Sequence, residues 1–272
     1  MTFKPATIPE NEINRLLAVE KTGVLDIVNE EIYSIYSHLA RKLTNCPQSW
    51  ANVMDTDRQY NFVMDADGIS KFEKEELREN PRNSSFCQYA LQSTEPLIVN
   101  NLQKSEIFKD HDSVRKPDGP RFYAAFPLVN SEGYILGSLC VRDKRVRRLS
   151  KETISLMKSL ASKLSHQLDI QSKQRSTTAE SVLHAMSEIH SHFPHVTLGG
   201  AISLMKYFAN SPISESETIL LKNLNIVGAN GRLNKESRKL QKTLNLDAGI
   251  LRRLKLSSSS KDELDNLFKA LG

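Results

Sequence analysis

The sequence predicts an α+β domain over about the first 150 residues, followed by a long helix and a helical hairpin. Three features of its apolar pattern support this prediction. Up to about residue 143, short apolar runs alternate with turn-forming segments, as strands and loops do. After Ser150 the apolar residues step by three and four, and from Ile219 they recur at intervals of seven, which are the periods of single and of packed helices.

The first part of the chain is predicted to contain one amphipathic helix and five short strands. Residues 29–43 carry apolar side chains at helical spacing, and Glu30 and Glu31 lie in the first turn, where the helix dipole favours carboxylates. Turn-forming residues fill 55–58 and 130–133. The predicted strands are 49–54, 59–64, 97–99, 122–129 and 134–141.

A long helix is predicted for residues 150–193. Its apolar positions step by three and four as far as Leu168, at a period near 3.6 residues. The same register then passes through the polar residues Gln171, Arg175 and Thr178 before it becomes apolar again. We interpret this polar seam as a weakly packed signalling segment within one continuous helix, and a helix break in the seam is the alternative.

Residues 179–245 are predicted to form two long antiparallel helices. Pro212 marks the turn between them, and Ser214 with Glu217 forms a capping box that starts the second helix. Such a hairpin in two copies would build a dimeric four-helix bundle, whereas a monomeric helical cap on the first domain is the alternative. The apolar repeat that indicates helix-on-helix packing consists of Ile219, Ile226, Leu233 and Leu240.

The composition predicts a cytoplasmic protein. Three well separated cysteines, with no C-x-x-C pair, argue against a disulfide framework or a zinc ribbon. No stretch approaches the roughly 18 apolar residues of a membrane span, and residues 1–14 lack the apolar core of a secretory signal. The formal charge is +5, and all of this excess lies in residues 173–272, which hold 14 Lys and Arg against 9 Asp and Glu.

Six stretches in the first part carry a family resemblance: 14–26, 53–61, 85–90, 96–101, 121–128 and 133–150. Together they resemble a GAF domain of the type common in bacterial signalling proteins, continuously over about residues 10–172. Ala125 and Val146 stand where the family usually has Gly and Pro. The resemblance implies a central antiparallel sheet with helices on both faces, acting as a sensory and dimerisation module, and it does not identify a ligand or cofactor.

The candidate ligand-binding residues lie beside the predicted strand ends, and they are Phe86, Cys87, His111, Arg121 and Tyr123. The guanidinium fork of Arg121 suits a carboxylate or phosphate, although an ion pair with the acidic residues near 110–112 is the favoured alternative. Cys87 and Cys140 are predicted to be inert residues of the apolar core rather than reactive thiols. Asp55 and Asp57 are interpreted as turn residues, and no metal site is predicted.

The last hundred residues are similar to the dimerisation and phosphotransfer hairpin of sensor histidine kinases. Residues 186–207 resemble its first helix, 214–246 its second helix, and 254–271 the start of the ATP-binding domain. This resemblance places His190 at the phospho-acceptor position, with Ser191 where the family usually has an acidic residue. A solvated bundle histidine is the alternative for His190, and the spacing of the neighbouring histidines does not fit a metal site.

No catalytic activity is expected of this chain. It has no G-x-G or other Gly-rich loop that would cradle phosphates, and it ends where the rest of an ATP-binding domain would be needed. The predicted organisation is a GAF sensory domain, a connecting signalling helix, a kinase-like hairpin, and either a truncated ATP-binding-like start or a C-terminal helical cap. The respective ranges are 1–150, 151–178, 179–246 and 247–272.

The sequence therefore predicts a dimeric cytoplasmic sensor that binds a small molecule. Its expected protein partner is a response regulator or a partner kinase. Two alternatives stay open: a phosphotransfer protein phosphorylated in trans at His190, and a nucleic-acid-binding protein regulated by the GAF domain. The second alternative depends on the basic residues in 235–255, which are more typical of the solvated face of a helical bundle. No membrane partner is expected.

Overall fold

The computed structural model describes residues 3–25, 30–228 and 232–246. The chain divides into two compact units, Met1–Ser172 and Lys173–Gly272, which are described separately below. Within the described ranges, no helix combines the length and the apolar character that crossing a bilayer requires.

The first unit is built around a six-stranded antiparallel sheet, which confirms the predicted α+β class. The strands are β1 Gln48–Met54, β2 Arg58–Ala66, β3 Glu79–Pro81, β4 Leu97–Val99, β5 Phe122–Val129 and β6 Ile135–Asp143. They lie in the order β3-β2-β1-β6-β5-β4, and every neighbouring pair is antiparallel. The five predicted strands are present, whereas β3 is missing from the prediction because its three residues carry no apolar alternation.

The helices of the described residues are α1 Glu12–Thr22, α2 Glu30–Thr44, α3 Lys71–Glu76, α4 Asp112–Arg115, α5 Lys151–His192, α6 Leu198–Phe208, α7 Glu215–Asn223 and α8 Lys235–Leu244. The predicted long helix is confirmed, because α5 is continuous through the polar seam. The predicted helix at 29–43 corresponds to α2. Three short 3₁₀ helices, the longest of them Phe86–Gln92, complete the first unit.

Side-chain alternation along the strands gives the sheet two buried faces. In β1, Ala51 and Val53 belong to one apolar core, while Trp50 and Met54 belong to another on the opposite face. The first core is completed by α1, α2 and the first part of α5. In that core the ring of Tyr33 meets the ring of Phe62 edge-on, with their centroids 5.1 Å apart.

The amide of Gln171 joins three helices at the end of the first unit. Its Nε2 donates a hydrogen bond of 2.6 Å to the carbonyl of Thr22 at the end of α1. Its Oε1 accepts a hydrogen bond from the hydroxyl of Tyr33 in α2. The first position of the polar seam is therefore firmly bonded, and the prediction that the whole seam is weakly packed is wrong at this residue.

The second unit contains the end of α5 and the helices α6, α7 and α8 around a core of its own. α5 ends shortly before Pro194, and the side chain of Thr197 caps the start of α6. The predicted capping box of Ser214 and Glu217 is confirmed at the start of α7. The core includes Val182, Ile189, Leu204, Phe208, Leu221 and Leu240.

The two long antiparallel helices predicted for residues 179–245 are replaced by these shorter helices. The second of them is interrupted between α7 and α8, where Asn225 has a left-handed φ of 55° and Val227 pairs with Leu233 in an isolated β-bridge. Ile226 and Leu233 are buried although neither lies in a helix. Ile226, Leu233 and Leu240 of the seven-residue repeat are buried, whereas Ile219 is exposed. The repeat therefore does not correspond to one continuous helix, and the prediction of a hairpin of two long helices is corrected for this reason.

Two predictions concern residues that the structure leaves undescribed. Residues 247–272, expected to begin an ATP-binding-like domain or to form a helical cap, lie outside the described ranges. The same applies to Arg252, Arg253 and Lys255 of the basic cluster. The other members of that cluster lie on α8, and they are Lys235, Arg238, Lys239 and Lys242.

Candidate ligand-binding site

A cavity of about 220 Å³ lies on the second face of the sheet, away from α1 and α2. Strands β1, β2, β5 and β6 form its floor, and the 3₁₀ helix Phe86–Gln92 and the turn before α4 form its walls. A mostly apolar lining with a few converging polar groups is typical of small-molecule sites. The lining residues are Trp50, Gln59, Asn61, Leu77, Asn80, Ser84, Ser85, Phe86, Cys87, His111, Ser113, Tyr123, Cys140 and Arg142.

Aromatic rings in edge-on contact form one wall of the cavity. The ring of Phe86 lies with its centroid 5.3 Å from that of Tyr123 and 4.5 Å from that of His111. Behind it, the fully buried ring of Phe108 is 5.2 Å from Phe86. Edge-to-face packing of this kind holds rings in one orientation, so the wall is preformed.

His111 is held in one tautomer by its neighbours. Its Nδ1 accepts a hydrogen bond of 3.1 Å from the backbone N–H of Ser113 at the start of α4. Its Nε2 therefore carries the ring proton and donates it to the carbonyl of Ser84 at 2.7 Å. The imidazole thus connects two loops of the cavity wall.

Two thiols and an amide meet on the floor of the cavity. Sγ of Cys87 lies 3.9 Å from Sγ of Cys140. Nδ2 of Asn52 lies 3.3 Å from the first sulfur and 3.7 Å from the second. The hydroxyl of Tyr123 donates a hydrogen bond of 3.0 Å to Sγ of Cys87. Both cysteines are buried, as predicted, but Cys87 is surrounded by hydrogen-bond donors, which the prediction of an inert thiol does not include.

The two thiols have opposite pKa shifts. Burial raises the pKa of Cys87, but hydrogen bonds from Cys140, Tyr123 and nearby hydroxyls outweigh burial and lower this pKa to about 6. The pKa of Cys140 is raised well above its usual value, because it donates to Cys87 and is itself buried. The floor of the cavity therefore favours a thiolate at Cys87 and a neutral thiol at Cys140.

Arg142 supplies a positive charge to the same cavity. Its Cζ lies 4.6 Å from the ring centroid of Trp50, which is a cation–π distance, and its Nε donates 2.9 Å to Oε1 of Gln48. Among the described residues, no carboxylate forms an ion pair with this guanidinium. Burial lowers the pKa of Arg142 and outweighs the opposite effect of the neighbouring Cys140, Cys87 and Tyr123.

The structure places four of the five predicted ligand-binding residues at this one cavity. Phe86, Cys87, His111 and Tyr123 all line it, and their role in binding stays a prediction. Arg142 was not among the predicted residues. Its position two residues after Cys140 in β6 puts both side chains on the same face of the strand, and this alternation is the signal that could have identified it.

Arg121, the fifth predicted residue, does not face the cavity. Its Nη1 donates to the carbonyls of Val114, Gly119 and Pro120, and its Nη2 donates to those of Lys116 and Pro117. The guanidinium therefore organises the loop after α4, because five carbonyls use its donors. The alternative ion pair near 110–112 is wrong, because Asp110 pairs with Arg115 instead. Anion binding by Arg121 stays a prediction, at a place outside this cavity.

The histidines of the second unit are exposed. His190 lies in the last turn of α5, and His184, His192 and His195 are exposed as well. Within the ranges that the structure describes, no three His, Cys, Asp or Glu residues are grouped as a metal site would need. The role of His190 as a phospho-acceptor stays a prediction.

Comparison with known proteins identifies similarity in the first unit. The family model described as GAF domain matches residues 29–168. A cyclic di-GMP phosphodiesterase from Pseudomonas aeruginosa is 29% identical over 154 residues, which is 56% of this chain and 25% of that protein. The chain therefore spans about a quarter of the length of this curated relative.

Two of the solved structures that match this chain have low sequence identity and TM-scores below 0.5. The GAF domain of PixJ from Thermosynechococcus elongatus is 14% identical with a TM-score of 0.44, covering 64% of this chain and 96% of that one. A GAF domain/HD domain protein from Geobacter sulfurreducens is 16% identical with a TM-score of 0.43, covering 56% and 97% respectively.

Proposed function

The chain belongs to the GAF domain family, and from that premise we propose that its first unit senses a small anionic molecule bound in the cavity. The observation that carries this proposal is Arg142, a half-buried cation in the cavity lining without a carboxylate partner among the described residues. Burying a charge is costly unless an opposite charge accompanies it. A ligand with a carboxylate or phosphate would supply that charge.

The shape and chemistry of the cavity restrict the ligand further. Its volume of about 220 Å³ is below the roughly 300–1,000 Å³ of pockets for drug-sized ligands, so the proposed ligand is small. The rings of Trp50, Phe86 and Tyr123 favour a planar or apolar body. The amides of Gln59 and Asn61 would fix its orientation through hydrogen bonds.

We propose that ligand binding is transmitted through helix α5. This helix packs on the other face of the sheet in the first unit, and Gln171 bonds it to α1 and α2. A ligand that shifts β6 would move contacts of Leu139 and Val141 with the helical layer, since their neighbours Cys140 and Arg142 line the cavity. Ligand occupancy would thereby change the position of α5.

The module is further proposed to act as a homodimer. Helix α2 carries a stripe of exposed apolar side chains on the face away from the sheet, spaced by three and four residues. A second copy presenting the same stripe would cover it. The stripe consists of Ile32, Ile35, Leu39 and Leu43.

The ligand proposal is tested by binding. Protein purified without added ligand is analysed by native mass spectrometry, and a panel of small carboxylates and phosphates is screened by thermal shift and calorimetry. We expect Arg142→Gln to weaken binding by about tenfold or more, since hydrogen bonds to charged groups contribute roughly 1.5–3 kcal/mol. The control is Arg145→Gln, which removes an exposed arginine nearby. Equal binding by both variants, or no anion bound by the wild type, contradicts the proposal.

Phosphotransfer at His190 is the second candidate function, and the exposure of this imidazole on α5 favours it. The test is labelling with a small phosphodonor or a partner kinase, comparing His190→Gln with His184→Gln, another exposed histidine of the same helix. Label lost only in His190→Gln supports this candidate. Label retained in that variant removes it. The phosphodiesterase activity of the relative is not proposed for this chain, because the matched segment is only 25% of that protein.

A further inference from the structure

We propose that Cys87 and Cys140 are a redox pair on the floor of the cavity, in which Cys87 reacts with a small hydroperoxide and Cys140 closes a disulfide. This inference uses the same cavity as the proposed ligand but does not depend on that ligand. It begins from the distance of 3.9 Å between the two sulfur atoms, which both belong to lining residues of the cavity.

The hydrogen bonds that Tyr123 and Asn52 donate to Cys87 are directed at its sulfur, which is the acceptor in each of them. The hydroxyl of Tyr123 donates to it at 3.0 Å, and Nδ2 of Asn52 approaches it at 3.3 Å. A neutral thiol is a weak acceptor, whereas a thiolate is a strong one. Two donors directed at one buried sulfur therefore favour the nucleophilic form, and the pKa of about 6 at Cys87 agrees with this.

The surroundings of the pair supply a positive charge. Arg142 follows Cys140 by two residues on the same face of β6 and lines the same cavity. Cationic neighbours stabilise thiolates and promote their reactivity. An inert pair of core cysteines would need neither the donors nor the cation.

Cys46 is an internal reference for this comparison. It is equally buried, but its sulfur donates to the carbonyl of Thr44 at 3.8 Å. Burial raises its pKa, and it does not line the cavity. Cys46 is therefore expected to react more slowly than Cys87 at a similar degree of burial.

The reaction proceeds in two balanced steps. The thiolate of Cys87 attacks one peroxide oxygen, so that an S–O bond forms and the O–O bond breaks, and the leaving oxygen takes up a proton and departs as water or an alcohol. The sulfur of Cys140 then attacks the sulfenic acid. The S–S bond forms, the S–O bond breaks, and the hydroxide leaves as water with the proton of Cys140. The two thiols lose two electrons and the peroxide gains them.

Closing this disulfide would reshape the cavity. The sulfur atoms must approach from 3.9 Å to about 2.05 Å. Cys140 is fixed in the centre of the sheet, between β1 and β5. The movement therefore falls on Cys87 and on the 3₁₀ helix Phe86–Gln92 that contains it, and it removes the hydrogen bond from Tyr123. An external dithiol would restore the reduced form by exchange.

The test oxidises the whole chain with hydrogen peroxide at neutral pH and follows it by mass spectrometry without reduction. We expect a loss of about 2 Da and a cross-linked Cys87–Cys140 peptide. Cys46→Ser should behave as wild type. Cys140→Ser should accumulate a sulfenic acid at Cys87 that a dimedone reagent traps, at a rate about tenfold or more above that of Cys46.

Tyr123→Phe is a second test, which does not depend on whether a serine substitution disturbs folding. Tyr123→Phe retains the ring and removes one donor, so it should slow sulfenic acid formation and move its pH profile to higher pH. Trapping of Cys46 at the same rate as Cys87, or no Cys87–Cys140 peptide in a folded wild type, overturns the proposal. Arg142→Gln separates the two proposals, because it should weaken anion binding by about tenfold or more and still permit the Cys87–Cys140 disulfide, at a lower rate because the nearby cation is lost.

Discussion

Three arginines of the first unit differ in their partners, and the partner determines the role of each residue. Arg15 is fully buried and pairs with Glu12. Arg121 is engaged by backbone carbonyls. Arg142 stacks on Trp50 and lies in the cavity lining. The first two are thus committed to the fold, whereas the third has no carboxylate partner among the described residues and is the proposed anion contact.

The Glu12 carboxylate should make the stability of the first unit depend on acid pH. Burial raises the pKa of Glu12, but hydrogen bonds and charge from Arg15 and Arg82 outweigh this and lower it from 4.5 to about 2. Because the folded pKa is depressed, the stabilisation is complete above about 4.5 and is lost as the pH falls towards 2. The measurement is urea unfolding across this window.

Glu12→Gln provides the matching variant. It should be destabilised by about 3 kcal/mol at neutral pH, since two buried guanidinium groups lose their carboxylate. Its stability should also change less between pH 5 and pH 2 than that of the wild type. Glu20→Gln, an exposed substitution in the same helix, is the control. Parallel pH curves for the wild type and Glu12→Gln would contradict the prediction.

Four of the five residues predicted to bind a ligand line the cavity, and the different positions of Arg121 and Arg142 have a physical reason. Phe86, Cys87, His111 and Tyr123 are conspicuous because they lie near strand ends in apolar or aromatic surroundings. Arg121 and Arg142 each stand at an end of a predicted strand, so the sequence does not distinguish them. The direction of each side chain decides between them, and that direction depends on strand register.

At the scale of elements, local sequence patterns predicted the strands and helices that form from the properties of their own residues. The hairpin of β5 and β6 follows from its turn and alternation, and the start of α7 follows from its capping box. The segment after α7 could not be predicted in this way. Its buried Ile226 and Leu233 fit a helical repeat, whereas the left-handed Asn225 and the bridge at Val227 arise from packing in the second unit.

Gln171 should be important for the stability of the helical layer. Its amide bonds both the end of α1 and the hydroxyl of Tyr33, so Gln171→Ala leaves two polar groups without their partner. We expect a loss of about 1–3 kcal/mol in the free energy of unfolding. Gln174→Ala, at an exposed position one turn further along α5, should change it by less than about 0.5 kcal/mol.

Chemical denaturation of the two glutamine variants checks this prediction. It is contradicted if both have the same unfolding midpoint. Lowered stability in Gln171→Ala would also show that the polar start of the seam contributes to the first unit rather than to signalling alone.

At the scale of the molecule, the apolar stripe on α2 predicts the state of association. Ile35→Lys together with Leu39→Lys places two charges on the proposed dimer interface, where burial of a charge is costly. Light scattering at micromolar concentration should give the dimer mass for the wild type and half of it for this variant. Ile107→Lys, an exposed apolar residue outside the stripe, should remain dimeric. A monomeric wild type would refute the proposed homodimer.

The two buried faces of the sheet have a mechanical consequence. Adjacent residues of β6 belong to opposite sides, since Cys140 lies on the floor of the cavity while Leu139 and Val141 belong to the helical core. The sulfur of Cys140 and the apolar side chains that pack against the helices are thus separated only by the thickness of the β6 backbone. A displacement of β6 caused on the cavity face is therefore also a displacement on the helical face. No chain of intervening side chains is needed to transmit it.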